Sequence, residues 1–85
     1  MIHIIYTEYF KKFLDTFDTE RQALTKKIIE DYCDGAILLP RPEKSRLNPE
    51  IQKVAIHDAN IVIFYLELDD AWVILTGVEI PKRVA

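Results

Sequence analysis

Cysteine is almost missing from this chain of 85 residues: Cys33 is its sole example. No intrachain disulfide can form, which fits a reducing compartment. Glycine occurs only at Gly35 and Gly77, so a glycine-rich phosphate loop is excluded. A long hydrophobic run is also lacking. The longest, Ile61 to Leu66, stops at Glu67, far short of the roughly 20 apolar residues of a membrane-spanning helix. The opening MIHIIYTEYF has too short an apolar run, and no preceding basic residue, to be a signal peptide. A cytoplasmic protein with no membrane contact is expected. Metal-ligand spacing is missing too: His3, Cys33 and His57 form no motif. Neither a metal nor a cofactor is expected.

Excess positive charge is the remaining lack. Eleven Lys and Arg stand against fourteen Asp and Glu, a net charge of −3. Broad nucleic-acid binders are usually basic, because phosphate neutralisation supplies much of their affinity. Any polyanion contact here must therefore be local, and the charge is uneven enough to allow one. Residues 36–54 hold Arg41, Lys44, Arg46 and Lys53 against only Glu43 and Glu50. Residues 55–70 hold four acids and neither Lys nor Arg.

Apolar residues make up 49% of the chain, enough for a single compact domain over residues 1–85. MIHIIY is β-branched and aromatic and predicts a first strand. Thr7 suits a helix N-cap, and Phe10, Phe13, Leu14 and Phe17 follow at helical spacing. Asp18 or Thr19 caps a second helix that directs Leu24, Ile28, Ile29 and Tyr32 inward, and Gly35 ends it. The two helices make an αα-hairpin. Pro40, Pro42 and Pro49 mark the next segment as a loop. QKVAIH, NIVIFYLEL and AWVILTGVEI then read as strands, with turns at residues 57–60 and at Asp69-Asp70. Ile61 to Leu66 is apolar at every position, which predicts a central strand covered on both sides. The expected fold is α+β, in the order β-α-α-β-β-β: an N-terminal strand, an αα-hairpin and a three-stranded antiparallel meander.

A Cys33–His57 nucleophile–base pair is a weak prospect. The acids Glu30, Asp31 and Asp34 would raise the thiol pKa, which favours a lone, partly buried cysteine. The basic residues are the better candidates. Were the last strand to lie beside the one carrying Lys53, Lys82 and Arg83 would share a surface with Lys44, Arg46 and Lys53. A cluster of that kind holds phosphates and stabilises negative charge.

The stretch IIYTEYFKKFLDTFD, the helical hairpin, and then QKVAIHDANIVIFYLELDDAWVILTGV resemble the RelE/ParE superfamily of bacterial toxins over nearly the whole chain. The resemblance implies a toxin of a toxin–antitoxin pair, with a cognate antitoxin as partner. RelE-type members cleave mRNA on the ribosome, using the 2′-hydroxyl of the message as nucleophile. ParE-type members act on DNA gyrase and are not nucleases. On the RelE pattern Asp58 matches the turn Asp, while Ala55 and Asn60 fall where arginines are common. Lys53, two residues earlier, then substitutes for one of them. The implied catalytic residues are Lys53, His57 and Arg83, with Lys44, Arg46 and Lys82 holding the RNA. The alternative is a non-catalytic binding module of the same fold, whether a ParE-like gyrase inhibitor or a degenerate toxin.

Overall fold

The computed structural model describes residues 3–39, 42–46 and 48–81. β1 (His3–Tyr6) leads into α1 (Glu8–Asp15) and α2 (Thr19–Cys33). Then come β2 (Glu43–Lys44), β3 (Ile51–Ile56), a 3-10 turn (His57–Ala59), β4 (Ile61–Glu67) and β5 (Ala71–Glu79). The strands form one sheet in the order β1-β5-β4-β3-β2. β1 runs parallel to β5, and every other pairing is antiparallel. The α+β fold read from the sequence is the observed one, with β2 as an addition. This two-residue strand pairs Glu43 with Lys53 and Lys44 with Gln52, inside the segment expected to be loop. Its pairing gives Glu43 and Lys44 the ladder partners that a helix flanked by these prolines could not.

The caps form where local chemistry places them. The Thr7 hydroxyl accepts from the Phe10 amide at 3.2 Å and donates to the Leu75 carbonyl, so it ties α1 to β5 as well. The Asp18 carboxylate accepts from the Arg21 amide at 2.8 Å. α2 ends in a Schellman motif. Gly35, at φ 75°, donates to the Tyr32 carbonyl, and Ala36 donates to that of Asp31.

Both helices lie on one face of the sheet. Phe10, Leu14 and Phe17 of the hairpin, with Ile28, Ile29 and Cys33, are buried against Val54, Ile56, Ile61, Ile63, Tyr65, Trp72 and Ile74. Two expectations are corrected here. Leu24 is 42% exposed, and Thr25 takes the buried place at 0%. α2 therefore presents the line Thr25, Ile28, Ile29 and Cys33, turned by one residue from the stripe that hydrophobicity suggested. Thr25 is tolerated there because its hydroxyl donates to the Arg21 carbonyl at 2.7 Å. β4 is central, yet the described residues cover it on one side only. Its residues alternate between buried Ile61, Ile63 and Tyr65 and half-exposed Val62, Phe64 and Leu66. The hairpin precedes the meander and packs as a unit, so no described helix remains for the second face.

Candidate functional site

The uncovered side of the sheet is the main surface on which this fold can act. Alternation along each strand sets its membership. β1 contributes Ile5, at 50% exposure, and β5 contributes Val73 and Val78. β4 adds Val62, Phe64 and Leu66, while β3 adds Ile51, Lys53 and Ala55. Cross-strand partners confirm the shared face: Ile5 opposes Val73, Phe64 opposes Lys53 and Leu66 opposes Val73.

The face has relief as well as area. Register slips between Phe64 and Tyr65, so Thr76 pairs with Phe64, Ile74 pairs with Tyr65, and Leu75 is the extra residue. Two hollows meet at this bulge. One, of about 610 Å³, is lined by Thr7, Glu8, Tyr9, Leu75 and Thr76. The other, of about 270 Å³, is lined by Ser45, Ile51, Phe64, Leu75 and Thr76. Tyr9 stands beside the first with 78% of its surface exposed. An apolar, grooved face of this extent marks a contact surface on a small protein.

The basic candidates among the described residues are dispersed. Lys53 lies on the open face, and its Nζ is 3.5 Å from a Glu43 carboxylate oxygen. Lys44 pairs with Gln52, which faces the helices, so the side chains of Lys44 and Lys53 leave opposite sides of the sheet. Arg46 is exposed in the turn after β2. His57 opens the 3-10 turn, four residues beyond Lys53 and about 13 Å along the strand. It lines a separate hollow of about 360 Å³ with Asp58, Ile56, Ile28 and Ile37 to Leu39. Lys82 and Arg83 lie outside the described residues. The surface imagined for them beside Lys53 does not form from neighbouring strands. β4 separates β5 from β3, and β1 occupies the other side of β5.

Asn60 and Arg21 have roles that a charge-based reading missed. Asn60 adopts a left-handed conformation at φ 57°, which Asn tolerates better than most residues, and its side-chain amide donates to the Ile80 carbonyl at 3.1 Å. Arg21 donates twice to the Ala59 carbonyl, at 3.2 and 2.9 Å. It also pairs with Glu79 at 2.8 Å and lies over the Phe17 ring. A single guanidinium thus fastens α2 to the 3-10 turn and to β5. The turn sequence His57-Asp58-Ala59-Asn60 signalled the backbone demand, but nothing local signalled the reach of Arg21.

Cys33 is buried, and its thiol is pushed up to about 12 by burial and then by Asp34, Glu67 and Glu30. A thiol held neutral in this way is a poor nucleophile. Among the described residues no group of His, Cys, Asp and Glu can hold a metal ion, and no helix is long and apolar enough to cross a membrane.

No family model matches the chain, and no curated protein does. Two solved structures share its fold. A conserved hypothetical protein of Helicobacter pylori is 17% identical, with a TM-score of 0.61. A copper-bound mutant toxin from Helicobacter pylori is 19% identical, with a TM-score of 0.63. Each match covers 93% of this chain and 94% of the other. At such identity the likeness is one of fold.

Proposed function

We propose that this chain is the toxin-like component of a bacterial toxin–antitoxin pair, held by its antitoxin on the open face of the sheet. The observation that carries the reading is that face itself: apolar from Ile5 to Ala55 and uncovered by the helices. The shared fold with a Helicobacter pylori toxin supports it, as does the resemblance of the sequence to the RelE/ParE superfamily. Burying apolar surface yields about 25 cal/mol per Å², so a partner that covers this face gains substantially without ion pairs. Induced expression in a bacterial host should arrest growth, and co-expression of a small protein from an adjacent reading frame should restore it and copurify. Growth unaffected by the chain alone would sink the proposal.

Ribosome-dependent mRNA cleavage is the finer reading, favoured by Lys53 standing on the same face. In that scheme Lys53, His57 and Arg83 perform the chemistry, and Lys44, Arg46 and Lys82 grip the message. An acid or base must come within about 3 Å of the proton it moves. The dispersal of Lys53 and His57 therefore favours binding over catalysis. Primer extension on translated mRNA separates the two: codon-linked breaks that vanish with Lys53→Ala support cleavage. Growth arrest without breaks, and with inhibited DNA supercoiling, supports a gyrase-directed module instead.

A further inference from the structure

We propose that the cleft between α1 and α2 is a binding site for a small phosphorylated ligand of the nucleoside monophosphate class. It lies on the helical side of the sheet, away from the open face assigned above to the antitoxin, and goes beyond that reading.

The cleft is a hollow of about 440 Å³, within the range of small-molecule sites. Three lysines converge on it from two helices: Lys11 and Lys12 of α1, and Lys26 of α2. Elsewhere Lys27 and Lys53 are paired with carboxylates. Lys12 and Lys26 have no ion-pair partner among the described residues. Acids at helical spacing are within reach of both: Glu8 and Asp15 flank Lys12, and Glu30 follows Lys26 by four residues. Cations that pass over such acids and face one hollow from two sides are suited to grip a phosphate group.

The floor adds an independent observation. Tyr6 lines the hollow, its ring stacked on Phe10 at 5.6 Å. Its hydroxyl is buried and has no hydrogen-bond partner among the described residues. Burial, then Glu30 and Cys33, raises its pKa to about 12, so it stays a neutral donor at physiological pH. A buried donor without an acceptor destabilises the free chain, and a phosphate oxygen that reaches it removes that penalty. The exposed lysines sit on flexible stems that part to admit the ligand. Glu8 and Asp15 set the ligand's other end. They also line the hollow, so three lysines face two carboxylates, one positive charge in excess. That balance suits a ligand with one anionic end and hydrogen-bond donors at the other. A base with an exocyclic amino group, such as cytosine, supplies those donors to a carboxylate.

Titration of the isotope-labelled full chain with cytidine monophosphate, up to about 5 mM, reads binding through amide shifts. The shifts should saturate and concentrate at Tyr6, Lys11, Lys12, Gln22 and Lys26. Inorganic phosphate should compete for them. Cytidine without its phosphate should bind at least about tenfold more weakly, because it forfeits the charge-assisted contacts. Lys12→Gln and Lys26→Gln should each weaken binding about tenfold, and Tyr6→Phe about fivefold without lowering the urea midpoint. Lys27→Gln removes the same charge one residue along α2, outside the lining, and should leave binding intact. Shifts that never saturate overturn the site, as does equal binding of cytidine and its monophosphate. Equal weakening by Lys26→Gln and Lys27→Gln also overturns it, by marking a diffuse charge effect. So does binding of single-stranded RNA alone, with shifts on the open face of the sheet.

Discussion

Asn60 shows how one residue can mislead a charge-based comparison and still be informative. It supplies a left-handed backbone angle of φ 57° and closes the turn into β4. Asn60→Val should cost about 1–2 kcal/mol, because a β-branched side chain resists that conformation. Asn60→Gly should cost less, and urea unfolding midpoints decide between them. Gly77 makes the opposite point. A Cβ there would lie 2.7 Å from the Phe13 ring, so Gly77→Ala overpacks the helix–sheet junction. A loss of about 1–3 kcal/mol is expected, despite the usual gain from removing glycine within a strand. Tyr6 carries a buried hydroxyl with no hydrogen-bond partner among the described residues. Tyr6→Phe should therefore leave stability unchanged or raise it by up to about 1 kcal/mol. Tyr6 and Cys33 also set the alkaline limit. Burial raises both to about 12, from 10.0 and 9.0. Their stabilising effect is complete below the unfolded values and is lost as pH climbs through the window between 9.0 and about 12. The unfolded chain sheds these protons first, so urea midpoints should fall across that window.

Among the elements, α1 was fully legible and α2 only in part. The spacing of Phe10, Leu14 and Phe17 fixed the buried face of α1, because large apolar side chains leave little choice. In α2 the lysines and acids are spread around the helix, and hydrophobicity alone set Leu24 inward. The real orientation depends on Arg21 reaching Ala59 and Glu79, contacts between residues 38 and 58 positions apart. Periodicity cannot report such a contact. Ile29→Ala, at 0% exposure, should cost about 2–5 kcal/mol. Leu24→Gln should stay within about 0.5 kcal/mol. Thermal melts of both variants check the rotated stripe. β4 was misread for a related reason: an apolar strand reports what it can bury, and here the described residues supply a cover on one side only. β2 was missed because two residues between prolines carry no period at all.

For the molecule as a whole, element order and caps could be read from local chemistry, and the surface could not. The candidate cations looked clustered because they are near in sequence, but a strand throws neighbouring side chains to opposite faces. Strand order places β4 between β5 and β3, and Lys82 and Arg83 lie outside the described residues. Beside the described cations stands an apolar face with Lys53 next to Glu43 at its margin. At this scale salt is the discriminating variable. Capture of a partner by apolar burial should change little between low and moderate salt, whereas a grip on RNA phosphates should weaken steeply. A pull-down with the copurifying protein across a salt series would show which force dominates.

The parallel pairing of β1 with β5 has a consequence in time. β1 has β5 as its strand neighbour, and β5 is the last of the described strands to be synthesised. Until about residue 79 has left the ribosome, the first strand has no ladder to join, and the hairpin has no complete sheet to rest on. A chain built this way lacks its complete sheet while β5 is still being made. The sheet closes only after β5 has emerged, so the order of synthesis fixes when the core can be sealed.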